Sequence, residues 1–424
     1  MISVRTALLS MTGSLLVALS GTSSALPAQP SWAQPRACRD VKACQAACRD
    51  KDASACFVTG DLLLRGPGGK QRKADALAAF VAACDLGRMD GCFEAGGLSR
   101  DGIGTEPDGW RAQELLTRAC DGGDIEGCNA LGRILAEGSL VPRDPGRALG
   151  LFRKACGQGS AGGCANLAEA TRAGMGTPAD LPTALRIASQ SCNAGGGMAC
   201  LTLGSWYAAD VFGAADGPKA VSFALRGCER HEPRACALAA ALFGDGRLVE
   251  ADTGKALDSL ERGCRLGDGA QCNNAAGLME DLTSGKALAL FEKGCDLGNV
   301  KACENAATFL YMQALEMIDS GLARRAFRYA SRMCAEEGPA SEPFCKQVAD
   351  SLIDGFGVAA DEASGERLLK EQCELHPGKG ACADLGDRYL NGDGVRPSVV
   401  EARIVLDAGC KGGDTGSCTV MASL

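Results

Sequence analysis

The 424-residue sequence is poor in aromatic side chains and in histidine. Phe, Trp and Tyr together account for 4% of the chain, and histidine occurs twice. Aromatic side chains supply much of the buried area of ordinary cores, so helices of this composition have thin, alanine-rich faces. We therefore expect the fold to need another source of stability. Two histidines are also too few for the histidine-rich zinc cluster of a metal-dependent hydrolase, and we predict no metal and no cofactor.

The sequence has no excess of positive charge. Its net charge is −8, and its 44 Lys and Arg residues are spread along the chain. Nucleic-acid-binding proteins normally present a basic patch or stripe. This distribution argues against a nucleic-acid partner.

The chain also lacks an apolar run long enough for a membrane-spanning helix. After a basic start, the apolar stretch from Ala7 to Leu19 is interrupted by Gly13, and it is shorter than the roughly 18 residues that a span needs. This pattern is typical of a cleaved signal peptide, with a membrane anchor as the alternative. We assign residues 1–25 to a signal peptide and the proline-containing residues 26–37 to an extended linker. We expect a periplasmic or secreted protein.

Cysteine, by contrast, is abundant. The chain has 24 cysteines, a load that suits an oxidising compartment in which disulfides persist. From Cys48 to Cys264, seven residues separate the two members of each pair, and successive pairs begin 36 residues apart. Such a period indicates a repeat array rather than several globular domains. The pairs are Cys38 with Cys44, Cys48 with Cys56, Cys84 with Cys92, Cys120 with Cys128, Cys156 with Cys164, Cys192 with Cys200, Cys228 with Cys236, Cys264 with Cys272, Cys295 with Cys303, Cys334 with Cys345, Cys373 with Cys382 and Cys410 with Cys418.

A predicted helix, named helix A, begins at the second cysteine of each pair. The fourth residue after that cysteine is always glycine or alanine, and apolar residues flank it at helical spacing, as Leu131 and Leu135 flank Gly132. A small side chain is expected where a neighbouring helix approaches closely. The small residues are Gly60, Gly96, Gly132, Ala168, Gly204, Ala240, Ala276, Ala307, Ala349, Gly386 and Ala422.

A second predicted helix, named helix B, precedes each first cysteine. Most copies have an alanine eight residues before the cysteine, and a residue four positions earlier can cap the helix through its side-chain oxygen. Glycine turns such as Gly102-Ile103-Gly104 join A to B, and their recurrence favours hairpin turns over a phosphate-binding loop. The predicted caps are Asp108, Asp144, Asp180, Asp216, Asp252, Thr283, Asp361 and Ser398.

The segment between paired cysteines is a predicted tight turn. Its third residue is usually a glycine, which can end helix B in the left-handed conformation, and His231 and His376 occupy the same position. We interpret both histidines as helix stops. A turn of this kind can bring the paired Cα atoms within the 4.4–6.8 Å of a disulfide, so we predict that each cysteine pairs with its local partner. In the chain-entropy description each closure contributes roughly 2–3 kcal/mol.

A helix pair of this length, with Leu-Gly in helix A, Gly-x-Gly in the turn and Ala in helix B, resembles the Sel1-like repeat, a relative of the tetratricopeptide repeat. The clearest copies contain Leu131-Gly132, Leu203-Gly204 and Leu385-Gly386. With its paired cysteines, the segment 38–424 resembles in particular the secreted cysteine-rich repeat proteins of the Helicobacter type. The resemblance implies an all-α, right-handed superhelix (solenoid) of about ten disulfide-stapled hairpins, preceded by a short stapled helix and followed by an abortive one.

The resemblance also implies a function, the binding of proteins or peptides in an extracytoplasmic space. Some relatives are described as β-lactamases or penicillin-binding proteins, so a weak hydrolase of that type is the alternative. The sequence contains no Ser-x-x-Lys nucleophile motif. We therefore predict a binding scaffold rather than an enzyme, with no catalytic residue.

The segment 272–345 departs from the regular period. Repeat seven lacks about five turn residues, and repeat eight lacks the glycine turn, which predicts a helix A extended through Tyr311 to Ile318. In the following helix B, Arg324, Arg328 and Arg332 recur every four residues. We interpret this arginine stripe as a solvated outer face, with an anionic docking site as the alternative.

Partner contacts are expected on helix A, by analogy with the tetratricopeptide groove. The first and fifth residues after the second cysteine should face outwards along a concave wall, because the third and fourth face the core. These positions vary between repeats, as expected for an irregular ligand, although a merely solvated surface would vary too. The candidate residues are Phe57, Phe93, Asn129, Arg133, Glu169, Leu201, Asn273 and Glu304, with Arg324, Arg328 and Arg332 of the stripe; Asp61, Ser205, Lys346, Asp350 and Asp387 occupy equivalent positions.

Overall fold

From Cys38 onwards the chain is all-α. A computed structural model describes residues 38, 40–65, 70–282, 284–335 and 342–424, and the signal peptide and linker predicted at 1–37 lie outside them. The helices are α1 (Val41–Arg49), α2 (Ala53–Arg65), α3 (Lys70–Asp85), α4 (Met89–Asp101), α5 (Gly109–Asp121), α6 (Ile125–Glu137), α7 (Pro145–Gly157), α8 (Ala161–Ala173), α9 (Leu181–Asn193), α10 (Gly197–Ala208), α11 (Gly217–Glu229), α12 (Pro233–Asp245), α13 (Thr253–Arg265), α14 (Gly269–Gly277), α15 (Gly285–Asp296), α16 (Val300–Met317), α17 (Ser320–Cys334), α18 (Glu342–Asp354), α19 (Glu362–Leu375), α20 (Ala381–Asn391), α21 (Val399–Lys411) and α22 (Thr415–Met421).

The helices pack as consecutive hairpins along one solenoid. Helices α2 to α21 form ten A–B hairpins, α1 precedes them, and the short α22 follows. Each helix packs mainly against its neighbours in sequence, as expected for a repeat array. The predicted all-α solenoid of ten hairpins is confirmed in the described part of the chain.

The irregular repeats also follow the sequence prediction. Helix A of repeat eight, α16, runs for 18 residues to Met317, and Ile318 ends it in the left-handed conformation with a φ of 53°. Helix A of repeat seven, α14, is shortened to 9 residues. The departures in the cysteine period therefore mark real changes in helix length.

Side-chain caps start the B helices where the sequence predicts them, with one exception. Asp144, for example, accepts a hydrogen bond from the backbone N–H of Arg147 at 2.9 Å, an interaction that contributes about 1 kcal/mol. The exception is α15, which begins after Ser284, whose hydroxyl accepts from Ala287 at 3.2 Å. The predicted cap Thr283 lies outside the described residues.

The small residues of helix A permit close packing within each hairpin. A Cβ added to Gly132 would lie 2.6 Å from the ring of Phe152, and one added to Gly386 would lie 2.4 Å from the side chain of Leu406. The alanine column of helix B, which includes Ala148, is fully buried opposite. The predicted close approach of the two helices is therefore confirmed.

Left-handed residues end most B helices, and both histidines stop their helices as predicted, but the left-handed conformation expected at His376 is wrong. His231 has a φ of 62°, close to the glycines at the same position in other repeats. His376 has a φ of −136°, because Pro377 follows it directly and disfavours helical conformations in the preceding residue. This turn is one residue longer, and Gly380 (φ 93°) takes the left-handed conformation instead.

Disulfides join the end of each helix B to the start of the next helix A. The structure forms the twelve predicted local bridges, with a Cα–Cα distance of 4.9 Å in the first and of 4.4–4.7 Å in the others. Each bridge closes a short loop. The bridges join Cys38 with Cys44, Cys48 with Cys56, Cys84 with Cys92, Cys120 with Cys128, Cys156 with Cys164, Cys192 with Cys200, Cys228 with Cys236, Cys264 with Cys272, Cys295 with Cys303, Cys334 with Cys345, Cys373 with Cys382 and Cys410 with Cys418.

The loop length is not the same in every bridge. Most of the regular bridges span a sequence separation of 8, whereas the bridge of Cys334 with Cys345 spans 11 and that of Cys373 with Cys382 spans 9. The Cα–Cα distance is nevertheless 4.5 Å in the first of these and 4.7 Å in the second. The Cα–Cα distance across the junction is therefore kept at both of the longer separations.

Non-reducing peptide mapping of the exported protein should recover these twelve local bridges. Local pairing is expected because the spacing within pairs is kept while the spacing between pairs drifts. Mapping that recovered mainly bridges between different pairs would contradict both the repeat assignment and the structure.

Gly132→Ala should lower the free energy of unfolding by about 1–3 kcal/mol, because the new methyl group overlaps the ring of Phe152. Gly150→Ala is the matched control. It adds the same methyl group where nothing lies within 4 Å, and it should raise stability by about 0.5–1 kcal/mol through helix propensity. Denaturant unfolding of both variants measures the difference, and equal effects would refute the packing argument.

Candidate binding surface

Successive A helices lie closer together than successive B helices. Helices α4, α6, α8, α10 and α12 pack each against the next, whereas contacts between neighbouring B helices are sparser. In a curved solenoid the helices of the inner wall are the more closely spaced. This asymmetry favours helix A as the inner wall.

The apolar candidates on helix A pack at the junctions between repeats. The Phe57 ring lies 5.3 Å from that of Phe80, with the Arg88 guanidinium 4.3 Å above it. Leu201 is 8% exposed and packs with Cys228 and Cys236, so most of its side chain faces the neighbouring repeat and only a small part faces outwards. A large apolar side chain at this position gains burial against the next repeat.

Phe93 is also half-buried, and it packs against the clusters on both sides of its helix. It and Phe57 therefore present only part of their rings to solvent. Both side chains therefore contribute to the packing of the core.

The asparagine candidates form side-chain amide pairs across repeat junctions. The Nδ2 of Asn166 donates to the Oδ1 of Asn129 at 2.7 Å, and the Nδ2 of Asn305 donates to the Oδ1 of Asn273 at 2.8 Å. In both pairs the first residue after one second cysteine meets the second residue after the next. The sequence analysis singled out Asn129 and Asn273 and missed their partners Asn166 and Asn305. Each partner is an asparagine at the second position after the next second cysteine, so the sequence did contain this signal.

Glu169 lies in a polar cluster that links two A helices. Its carboxylate accepts from the indole Nε1 of Trp206 at 2.8 Å and from the guanidinium of Arg172. The hydrogen bond from Arg172 is the main reason that the pKa of Glu169 lies below its usual range, with the Trp206 bond adding to it against the opposing effect of burial. Arg133, by contrast, is exposed, with Glu137 at 3.8 Å as its ion-pair partner. Glu169 is therefore held as an anion in a fixed orientation.

A groove of about 450 Å³ lies on the A-helix face between α8, α10 and α12. We name it the A-face groove. Its lining includes the predicted residues Glu169, Leu201 and Ser205, and also Asn166, Trp206 and Arg234, which the sequence analysis did not single out. The structure thus brings three predicted residues into one concave site and leaves Phe57, Phe93, Asn129 and Asn273 outside its lining.

The A-helix face is acidic near both ends of the solenoid. At the N-terminal end, Glu94 is half-buried near Asp61, Asp90 and Asp124; burial and then these three charges raise its pKa. At the C-terminal end, the carboxylates of Asp350 and Asp384 lie 2.9 Å and 3.2 Å from the ammonium group of Lys346.

Arg388 completes the C-terminal network, 3.1 Å from Asp350 and 3.2 Å from Asp354. Burial and then Asp384 raise the pKa of Asp350 despite these cations. Lys346 and Asp350 are thus engaged within the protein, as is Glu304, which pairs with Lys301 at 2.6 Å. Asp387 remains exposed beside this network.

Two of the three stripe arginines pair with carboxylates of the preceding helix B. Arg332 lies 3.5 Å from Asp296, and Arg328 lies 3.8 Å from Glu292. Arg324 is exposed, and its Nε donates to the Ser320 carbonyl at 3.3 Å. This pairing favours the interpretation of the stripe as a solvated outer face.

A related contact recurs along the B helices. The cation two residues before the first cysteine reaches back to the end of the preceding helix B: Arg118 donates to the Cys84 carbonyl at 3.2 Å, and Lys154 to the Cys120 carbonyl at 3.1 Å. Cations are favourable at helix C-termini. Arg118 and Lys154 therefore bind the preceding repeat within the protein, which leaves them less available to an anionic ligand.

Within the described residues, no group of His, Cys, Asp and Glu side chains is arranged to hold a metal ion. In the same part of the chain, every helix is too short or too polar to cross a membrane.

The fold and its groove define a disulfide-stapled α-solenoid of the tetratricopeptide-like class. Six segments match the Sel1 repeat family, at residues 90–124, 125–160, 161–196, 233–268, 284–299 and 380–404. These six segments of the chain are therefore similar to Sel1 repeats. No curated protein matches the chain.

Solved structures with related repeats are distant from this chain. A protective antigen of uropathogenic Escherichia coli with an SLR fold shares 18% identity over 90% of each chain, with a TM-score of 0.39. A Sel1 repeat protein from Oxalobacter formigenes shares 19% identity over 56% of this chain and 96% of its own, with a TM-score of 0.36. An immunity protein from Pseudomonas aeruginosa shares 19% identity over 50% of this chain and 81% of its own, with a TM-score of 0.39. At these values the similarities carry no argument about function.

The two glutamates of the A-helix face should respond to pH with opposite signs. The pKa of Glu169 is lowered by folding, so its ionised form stabilises the protein above its unfolded-state pKa, and this contribution is lost as the pH falls through the folded-state pKa. The pKa of Glu94 is raised, so its ionised form is destabilising at neutral pH.

Glu169→Gln should therefore lower the free energy of unfolding at pH 7 by about 0.5–1 kcal/mol, a value discounted for partial exposure. Glu94→Gln, the matched comparison, should raise it by a few tenths of a kcal/mol. The Glu94 difference should vanish as the pH falls below about 4, and the Glu169 difference should vanish only as the pH falls further, through the lowered folded-state pKa of Glu169. Denaturant titrations at several pH values measure them, and a shared sign at pH 7 would refute the assignment.

Proposed function

We propose that this protein is an exported scaffold that binds a protein or peptide partner along the A-helix face of its solenoid. The observation that carries the proposal is the A-face groove. Three successive A helices contribute side chains to it, and both apolar and polar groups line it. Concave sites with a mixture of apolar surface and a few polar groups are typical of ligand-binding regions.

We further propose that the protein works in the periplasm or outside the cell, as a cysteine-rich Sel1 repeat protein of the secreted Helicobacter type. The support for an oxidising setting is the disulfide at each repeat junction, since such bridges persist where thiols are not kept reduced. The proposed cleavage of residues 1–25 agrees with this setting.

The arginine stripe receives less support as the main binding site. Its arginines Arg328 and Arg332 are paired with carboxylates of the neighbouring helix, so an anionic ligand would have to compete with those contacts. The proposal contains no catalytic step. Hydrolysis of nitrocefin by the purified protein would count against it and favour the hydrolase alternative.

Variants on the two faces test where the partner binds. A double variant, Arg133→Glu with Ser205→Arg, changes two exposed or half-exposed A-helix positions. We expect it to weaken binding of the partner captured from the native envelope by tenfold or more, because Arg133→Glu reverses a charge and Ser205→Arg adds one in the proposed contact surface. Isothermal titration calorimetry with the purified partner measures the change.

Arg324→Glu is the matched control on the convex face, since Arg324 is exposed and its described hydrogen bond joins it to the Ser320 carbonyl within its own helix. It should leave the affinity unchanged. If Arg324→Glu abolishes binding and the A-helix double variant does not, the concave assignment is wrong and the convex face is the site.

A further inference from the structure

We infer that the disulfide Cys156–Cys164 is a site of thiol–disulfide exchange, at which a small external dithiol opens one junction of the solenoid while the neighbouring junctions stay closed. Both cysteines are partly exposed, and side chains that cover the equivalent bridges are missing from this junction. The reactivity of the bridge is independent of the partner proposed above.

The Cys156–Cys164 bridge is more exposed than its counterparts. In the six other bridges of the same length between Cys84 and Cys303, each cysteine is only 0–3% exposed. An attacking thiolate must reach a disulfide sulfur, so exchange at those six bridges requires a local opening of the structure first. The partly exposed bridge needs a smaller opening or none.

One other bridge, Cys410–Cys418, also has two partly exposed cysteines. It lies at the last described junction, and among the described residues no helix B follows α22. Its exposure is therefore explained by its place in the array. The Cys156–Cys164 bridge joins α7 to α8, and these helices pack against α6 and α9 on either side. Its exposure must therefore have a local cause.

At two other junctions, the second residue after the next first cysteine covers the bridge. Leu266 packs against Cys228 and Cys236 of the preceding junction. The Arg230 guanidinium likewise lies against the turn glycine of the bridge before it. The equivalent residue above the exposed bridge is Ala194, whose methyl group is too short to give the same cover.

A small residue at that position does not by itself expose a bridge. Gly122 occupies it above the Cys84–Cys92 bridge, and there the side chain of Met89 fills the space beside the glycine and packs with both cysteines. The counterpart of Met89 at the exposed junction is Ala161. This junction therefore has an alanine at both covering positions.

A third covering contact is also missing. The Nζ of Lys154 lies 3.1 Å from the carbonyl oxygen and 3.5 Å from the Sγ of Cys120 in the preceding junction. The equivalent residue above Cys156 is Gln190. Its side-chain carbonyl oxygen accepts a hydrogen bond from Arg186 of its own helix at 3.0 Å, so Gln190 is engaged along α9.

Exchange at this bridge proceeds in two balanced steps. The thiolate of the dithiol attacks one sulfur of the bridge and forms a mixed disulfide, and the other cysteine leaves as a thiolate that takes up a proton. The second thiol of the reductant then displaces the protein sulfur. Cys156 and Cys164 end as thiols, the reductant ends as a cyclic disulfide, and two electrons have passed to the protein.

The bridge lies at the start of α8. The same helix carries Asn166 and Glu169, which line the A-face groove. Reduction releases the covalent tie between α7 and α8. An external dithiol at Cys156–Cys164 would thus act on a junction next to the groove.

Limited reduction of the oxidised full chain tests the inference. Dithiothreitol is the probe, N-ethylmaleimide blocks the thiols that it frees, and peptide mapping measures the modified fraction of each cysteine against time. Cys156 and Cys164 should be modified about tenfold faster than the cysteines of the six buried bridges, which need a local opening first. Cys410 and Cys418 should react early as well.

Ala194→Leu supplies the missing cover and should slow the modification of Cys156 and Cys164 by about threefold or more. Ala194 is exposed at the end of α9, so the larger side chain has room.

Leu266→Ala is the reciprocal variant. It removes the side chain that packs against Cys228 and Cys236, so it should speed the reduction of that bridge and leave the rate at Cys156–Cys164 unchanged. Far-UV circular dichroism recorded during the reduction should show intact helices while the first bridge opens.

A reduction rate at Cys156–Cys164 equal to that of the six buried bridges overturns the inference. A rate that Ala194→Leu leaves unchanged overturns it too. Simultaneous reduction of all bridges with loss of the helical signal also overturns it, because the exchange would then follow global unfolding. None of these results bears on partner binding, which the A-helix and convex variants test separately.

Discussion

Each hairpin junction depends on a covalent bond that closes a loop of only a few residues. A bridge such as Cys120–Cys128 spans a sequence separation of 8, and closing a loop of this length contributes about 2.5 kcal/mol in the chain-entropy description. Alanine is the most frequent residue of the buried core between the bridges, and leucine supplies many of its larger side chains. The staples add a covalent link at each junction, and the remaining contacts act within that frame.

Within that frame, the side chains of the two facing helices of a hairpin are complementary in size. Where helix A has glycine, as at Gly132 and Gly386, helix B presents a Phe or Leu against it. Cations near the end of helix B, such as Arg118 and Lys154, then bind the carbonyl groups of the preceding repeat. These contacts join helices within and between repeats, and side chains of three successive A helices line the groove.

The cysteine period, the small residues and the caps predicted a repeat of two helices, because all three depend on local sequence, and the family resemblance implied the solenoid. Even the extended α16 followed from the missing glycine turn. His376 stops its helix as predicted, but its conformation was predicted wrongly, since one inserted residue and the adjacent Pro377 changed the backbone at a position that looked equivalent to His231.

The candidate site was predicted less well, because the first position after the second cysteine has no fixed environment. It is buried as Leu201, half-buried as Phe57 and hydrogen-bonded as Asn129. Which of these occurs depends on the residue that the next repeat supplies about 37 positions away, and a single repeat does not contain that information. Arg234 was missed for the same reason, since its place in the groove lining depends on the helices α8 and α10 of the preceding repeats.

The short reach of the bridges also limits how the cysteines can mispair during oxidation. Each cysteine lies at a sequence separation of only 6 to 11 from its partner, so the two meet by closing a short loop. In the regular repeats the cysteines of neighbouring pairs lie further along the chain, and closing a longer loop costs more entropy. Correct pairing is thus encoded within each repeat junction, and each junction can oxidise independently of the others.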